Sequence, residues 1–329
     1  MKDIALEVKN LRVEFNIRGK TVKAVNDLSW QLKKGHTLGI VGESGCGKSV
    51  SSLAILRLIP DPPGKITSGS IHYHGKDIMK MSDKNVRNIR GREISMIFQE
   101  PMTSLNPLMT VGKQISEIID RHFKLSKQET YIKAKNILDL VQIPDSERWL
   151  NGYPHEMSGG MRQRVMIAMA LVCEPAVLIA DEPTTALDVT TQAQILALLN
   201  NLQKKLGTAV VMITHDLGVI SETADHVIVM YAGKKVEEAS VLDLFDNPKH
   251  PYTQGLMKAI PNLEDISKNN SKPRRLEEIK GIVPSLHDLP KGCAFENRCS
   301  FAMEKCKHES PNFEEKAPGH WASCFKEFN

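Results

Sequence analysis

Aromatic residues are scarce, at 5% of the 329-residue chain, and long apolar runs are absent. The longest such runs, at 176–180, 209–213 and 227–231, fall far short of the roughly 20 residues that a membrane-spanning helix needs. The first ten residues lack the apolar core of a signal peptide, so the chain is expected to stay in the cytoplasm, where disulfides are rare. An excess of one charge is missing too. Lys and Arg number 43 against 39 Asp and Glu, a net +4. That is small for a domain that grips nucleic acid through charge, so no nucleic-acid partner is expected. No repeat recurs at a solenoid period. The composition, 41% hydrophobic and 25% charged, is that of a globular protein and is neither disordered nor fibrous.

The length predicts about two domains, and the pattern divides the chain unevenly. Residues 1–260 read as an α/β domain. Ile4 to Val8 and Leu11 to Phe15 alternate apolar and polar as half-buried strands do. The runs 37–41, 94–98, 177–180 and 210–213 are continuously apolar, as strands of a parallel sheet covered on both faces are. Between Gly112 and Leu150, within a segment of about 100–160, apolar residues recur at helical spacing among many charges. This predicts a helical subdomain inserted into the first domain. Residues 267–275 are polar and read as a linker, and 261–329 form a C-terminal extension.

The run Gly42, Glu43, Ser44, Gly45, Cys46, Gly47, Lys48, Ser49 fits the phosphate-loop pattern GxxxxGK[ST]. It lies between an apolar strand and a helix-compatible stretch, the setting the pattern requires. The glycines let backbone N–H groups point inward onto phosphate oxygens, and the N-terminus of the following helix favours negative charge. Lys48 can reach the β- and γ-phosphates of ATP, and the Ser49 hydroxyl can bind Mg²⁺. Cys46, at a variable position, reads as a small filler. A second apolar strand ends in Asp181 and Glu182. Asp181 suits Mg²⁺ held through its water shell, and Glu182 is placed to act as general base on an attacking water.

Ser158, Gly159 and Gly160, ahead of the acidic strand, resemble the signature sequence of ATP-binding cassette (ABC) ATPases. The order of the other motifs agrees. Gln99 matches the family's Q-loop, Asp188 in the triplet 186–188 its D-loop, and His215 its switch histidine. Phe15 matches the upstream aromatic that stacks on adenine. Met157 and Met161 depart from the Leu and Gln that usually flank the signature. The resemblance implies an ABC-type P-loop ATPase fold, with a mixed-sheet core and a helical subdomain. It implies that Gln99 bridges Mg²⁺ and the attacking water, and that His215 contacts the γ-phosphate. It further implies that Ser158, Gly159 and Gly160 bind ATP held by an opposite subunit.

The segments 99–107 and 247–253 and a cysteine-bearing tail narrow the resemblance to the ATP-binding subunits of bacterial oligopeptide and dipeptide importers. What this implies is a heterodimer with a second homologous ATPase, two membrane permeases and an extracytoplasmic substrate-binding protein, with this chain peripheral on the cytoplasmic face of the membrane. A nickel importer of the same architecture is the alternative. A free-standing ABC ATPase acting on ribosomes or DNA is a more distant one.

Two of the six cysteines, Cys46 and Cys173, stand alone, while Cys293, Cys299, Cys306 and Cys324 crowd the tail. Four thiolates suit either structural Zn²⁺ or an iron–sulfur cluster, and the spacing matches neither the tight zinc knuckle nor the ferredoxin patterns. Resemblance to the tails of peptide-importer ATPases favours a [4Fe–4S] cluster, with His308 and His320 as nearby spare ligands. The extension is thus expected to be a small metal-binding module.

Overall fold

The computed structural model describes residues 3–99, 104–185, 187–259 and 278–327. The linker expected at 267–275, the boundary at 260, and residues 100–103 and 186 of the Q-loop and D-loop motifs lie outside the described residues.

In chain order, β1 (Ile4–Ile17), β2 (Lys20–Lys33) and β3 (Thr37–Val41) lead into α1 (Lys48–Ile55). β4 (Gly64–Tyr73), β5 (Lys76–Asp77), α2 (Asp83–Ile89) and β6 (Ile94–Ile97) follow. The helices α3 (Val111–His122), α4 (Lys127–Leu140), α5 (Ser146–Leu150) and α6 (Gly159–Leu171) come next. The chain returns through β7 (Val177–Asp181), α7 (Val189–Leu206), β8 (Ala209–Thr214), α8 (Leu217–Thr223), β9 (His226–Tyr231) and β10 (Lys234–Ser240). It then runs through α9 (Val241–Asp246), α10 (Pro251–Lys258), α11 (Glu304–His308), β11 (Glu314–Ala317) and β12 (His320–Ala322).

The apolar runs predicted as buried strands form the centre of an eight-stranded sheet, in the order β11-β12-β10-β9-β3-β8-β7-β6. β9, β3, β8, β7 and β6 are mutually parallel, and β10 turns back antiparallel on β9. The period-two alternation of strand side chains sorts the core. Val41, Ala180, Met212 and Val229 face the helical side, together with Ile115, Leu138 and Val165. Ile40, Ile179, Ile213 and Met230 face the other side and pack with Val8, Leu11, Val25 and Ile55. Both faces are dry, which is why these strands read as continuous apolar runs.

The second face is covered by an antiparallel sheet of order β2-β1-β4-β5. The two alternating runs expected as separate strands join into the single 14-residue β1. Asn10 sits between them in the left-handed region (φ 48°), where its backbone N–H and side-chain oxygen both bond the Ser29 hydroxyl. The register shifts there, and the chain bends without leaving the sheet. In the segment read as a helical subdomain, α3 is capped by Thr110, and α4 by a reciprocal Ser126–Glu129 box.

The extension is continuous with the cassette sheet. β12 pairs with β10 through Glu237–Ala322 and Glu238–Trp321, and β11 completes the edge. Its anchor is Glu237, fully buried. Glu237 accepts from the backbone N–H groups of Lys249 and His250 and lies 2.7 Å from His320 Nε2. His320, expected as a spare metal ligand, is therefore committed to this carboxylate. His308 lies exposed beside Glu304.

His250 caps α10 by accepting from Tyr252 N at 3.1 Å, and it also bonds the backbone of Ser323 in the extension. Complete burial pulls its pKa down to about 4, with the nearby Glu237 carboxylate opposing the shift. The fold therefore favours neutral His250. Its contribution is fully present above the ordinary histidine value and is lost as pH falls toward 4. Between neutral pH and about pH 4, the unfolding free energy should drop by up to about 3 kcal/mol more in the wild type than in His250→Asn, which keeps a capping acceptor but does not titrate. Denaturant titration at the two pH values measures this, and parallel losses in the two proteins would contradict it.

Candidate functional site

The phosphate loop, 42–49, connects β3 to α1 at the carboxyl edge of the parallel sheet. Two of its glycines are sterically required. Gly47 adopts φ 100°, and a Cβ there would lie 2.2 Å from the Ala24 carbonyl oxygen. A Cβ on Gly42 would lie 2.3 Å from the Met230 carbonyl oxygen. The loop is thus pressed against β2 and β9, with space only for backbone. Lys48 is buried and donates Nζ to the carbonyls of Gly42 (2.6 Å) and Glu43 (3.2 Å). Cys46 is buried, and its thiol is pushed up by burial despite the nearby Lys48. A buried thiol with a raised pKa is a weak nucleophile, in keeping with the reading of Cys46 as a small filler.

β7 lies two strands from β3, with β8 between them. The parallel register brings the ends of all three strands to one edge, and the residues singled out in sequence meet there. Ser49 Oγ donates to Asp181 Oδ1 at 3.0 Å. Gln99 Nε2 donates to Glu182 Oε2 at 3.0 Å, and Thr185 Oγ1 donates to the same oxygen at 2.9 Å. His215 Nδ1 lies 3.3 Å from Glu182 Oε1.

Glu182 itself is in the left-handed region, φ 47°, a conformation costing about 1–3 kcal/mol for a non-glycine residue. Its N–H is tied to the Ile213 carbonyl at 2.8 Å. The turn aims the carboxylate at Gln99 and His215 instead of letting the strand run on. Burial pushes the Glu182 carboxyl up, but donation from Thr185 and the proximity of His215 outweigh it, and its pKa lies below the ordinary value. Burial dominates at Asp181 and raises it to about 6, the Glu182 charge adding to the effect and the Ser49 bond opposing it. The two adjacent carboxyls are thus shifted in opposite directions by their surroundings.

Phe15 is half-buried near the end of β1, against Gly64 and Ile59. Ser158, Gly159 and Asp188 are exposed. Ser158 caps α6 through Met161 N, and Asp188 caps α7 through Thr191. The structure therefore brings Ser49, Gln99, Asp181, Glu182 and His215 together and leaves the signature on a separate exposed surface. Three participants were not singled out in the sequence, although Tyr252 lies within the segment 247–253. Gln163 of α6 donates to the Pro183 carbonyl and ties the signature helix to the acidic turn. Tyr252 accepts from Glu43 N at 2.8 Å. Arg298, from the extension, forms a two-point ion pair with Glu43.

The four tail cysteines come from different elements: Cys293 and Cys299 flank a short turn (Glu296–Arg298), Cys306 lies on α11 and Cys324 follows β12. All four line one small cavity with the rings of Phe295, Phe301 and Phe325. Burial pushes the thiols of Cys299 and Cys324 up, and that of Cys293 to about 11. The donor set is all-sulfur and apolar-walled, which suits iron–sulfur or zinc chemistry. It is not closed on one point: among the described residues no three His, Cys, Asp or Glu side chains are grouped to hold a single metal ion. No helix among the described residues is long and apolar enough to cross a membrane.

Residues 25–185 match the family profile described as ABC transporter, and 236–306 match that of the oligopeptide/dipeptide transporter C-terminal region. A probable peptide ABC transporter ATP-binding protein of Sinorhizobium fredii is 51% identical, covering 98% of this chain and 95% of its own. The oligopeptide transport ATP-binding protein OppD of Bacillus subtilis is 53% identical over 94% of this chain and 85% of its own. The dimeric ABC transporter cassette MJ0796 superposes with a TM-score of 0.65 at 28% identity, over 72% of this chain and 98% of its own.

Proposed function

Because the chain belongs to the ATP-binding proteins of peptide ABC transporters, we propose that it hydrolyses ATP at the edge formed by β3, β8 and β7 and so powers peptide import. Supporting the import assignment, the relatives similar over nearly the whole chain carry peptide, oligopeptide and dipeptide transport in their names. The observation that carries the catalytic reading is Glu182, which is bonded by Gln99 and lies within reach of His215, one residue from the Asp181 that receives Ser49.

On this reading the amides of 42–49 and Lys48 hold the phosphates, and Phe15 offers a ring to the adenine. Ser49 and Asp181, helped by Gln99, would hold Mg²⁺, which when bound would supply positive charge to the β- and γ-phosphates. Glu182 accepts a proton from water as its oxygen attacks the γ-phosphorus, and ADP leaves. A lowered pKa keeps Glu182 ionised and ready to accept. His215, whose side chain is 58% exposed, is free to contact the γ-phosphate.

The signature residues Ser158 and Gly159, both exposed, and the half-buried Gly160 then serve ATP on a second, homologous ATPase, with the exposed Asp188 nearby. Two membrane permeases and an extracytoplasmic binding protein complete the transporter, with this chain on the cytoplasmic face. A groove beside Gln99, lined by Arg90, Phe98, Leu105, Glu117 and Arg121, offers apolar surface and charge to a permease segment. This position would transmit nucleotide-driven movement of Gln99 to the membrane subunits.

The four cysteines are assigned to a [4Fe–4S] cluster. A zinc ion needs its sulfurs within about 2.3 Å of one point, whereas a cluster spreads its ligands over several irons, as thiols that share a cavity without converging can accommodate. ATP hydrolysis moves no electron, so the group would brace or sense and not react.

Glu182→Gln should retain MgATP binding while turnover in the assembled transporter falls by about 10²–10⁴-fold, the usual contribution of a general base. Normal turnover in that variant would remove Glu182 from the role. Anaerobically purified protein should carry about four irons per chain with broad visible absorption, and stoichiometric zinc without iron would overturn the cluster.

A further inference from the structure

The phosphate loop is held from outside the cassette. Arg298 donates Nη1 to Glu43 Oε2 at 2.6 Å and Nη2 to Glu43 Oε1 at 2.9 Å, a fork spanning 255 residues of sequence. Its side chain is 4% exposed and that of Glu43 28%. The guanidinium is fixed on its other edges by the carbonyls of Lys280 (3.3 Å) and Ile279 (3.4 Å) and by the Tyr231 hydroxyl (3.4 Å). It also lies 5.9 Å from the centre of the Phe295 ring. Every bond Arg298 can make is thus committed to one placement, and the planar fork cannot be reproduced by a lysine.

Glu43 is the second residue of the phosphate loop. Its N–H is held by Tyr252, and its carbonyl takes Cys46 N at 3.3 Å and Lys48 Nζ at 3.2 Å. Tyr252, Tyr231 and Phe295 pack as a trio, with centroids 4.8–5.4 Å apart, beneath this corner. Arg298 in turn sits on a tight turn between two of the tail cysteines. Its N–H bonds the Phe295 carbonyl at 3.0 Å, and Cys299 N bonds the Glu296 carbonyl at 3.1 Å. Cys293 N bonds the Cys306 carbonyl at 2.8 Å. The cysteine-bearing turn, the guanidinium and the loop that cradles phosphate form one continuous chain of contacts.

We propose that Arg298 is a positioning residue of the nucleotide site: acting through Glu43, it holds the phosphate loop in its binding shape, so that the C-terminal extension sets the chain's affinity for ATP. The inference rests on the ATP site assigned above. A bidentate charged pair fixes direction as well as distance. Without it the Glu43 carboxylate turns to solvent, and the loop must be ordered by ATP at the expense of binding.

The test is the ATP dependence of turnover in the assembled transporter. Arg298→Ala should raise KM for ATP about tenfold, with kcat at saturating ATP nearly unchanged, and Glu43→Ala should raise KM by a similar factor. The double variant should be no worse than the weaker-binding single variant, because the two residues act as one unit. Arg298→Lys, which keeps the charge and is the milder change should Arg298→Ala fail to fold, should show a smaller rise. An unchanged KM in a folded variant, a loss confined to kcat, or losses that multiply in the double variant would each overturn the proposal. The wild-type assay separates the two readings. Wild type without ATPase activity sinks the ATP site itself, whereas active wild type with unshifted variants sinks only the role of Arg298.

Discussion

Parallel pairing of three strands is the constraint on which the rest of the structure depends. β3, β8 and β7 run side by side in unbroken register, with Val41 opposite Thr214 and Asp181 opposite Ile213. In a parallel sheet all carboxyl ends fall on one edge, so whatever follows each strand in sequence becomes a neighbour in space. The phosphate loop follows β3, the acidic pair closes β7, and the histidine follows β8. Slipping one strand by a single residue would turn its core side chains to the opposite face and pull Asp181 away from Ser49. The apolar burial that fixes the register therefore also fixes the geometry of the Ser49, Asp181, Glu182 and His215 cluster.

Much of this was legible in the sequence, for physical reasons. Apolar runs such as 37–41 and 209–213 announce strands buried on both faces, and the phosphate loop announces itself by glycines that a close backbone approach demands. The pairing of Ser49 with Asp181 follows once both motifs sit at strand ends. Other features were hidden. Alternation in β1 identifies a strand but not its partner, so the antiparallel sheet over the second face could not be read. Asn10, between the alternating runs 4–8 and 11–15, adopts the left-handed region and bends β1 without ending it, which alternation alone does not signal. β11 and β12 are too short, and too polar at Glu314 and Glu315, to signal that they extend the cassette sheet. The Arg298–Glu43 pair has no periodicity to betray it.

The extension is less separate than its composition suggests. It shares a sheet through β12, a buried carboxylate through Glu237 and His320, and a guanidinium fork through Arg298. The first two contacts meet at the edge strand β10, whose Glu237 also holds the backbone leading into α10, and the third reaches the phosphate loop. Breaking a buried pair of this kind by removing one partner is far more costly than never having formed it, because the remaining charge or donor stays buried. The cysteine cavity lies between the second and third of these contacts, walled by His250 and Phe295.

The most direct test of the account is amide hydrogen exchange of the full chain with and without MgATP. The central claim is that one nucleotide site is assembled at the shared edge of β3, β8 and β7 and is backed by the extension. It predicts slowed exchange at 42–49, at 181–182 and at 214–215, together with the turn at 295–299. Unchanged exchange at those strand ends, with protection appearing elsewhere in the chain, would contradict it.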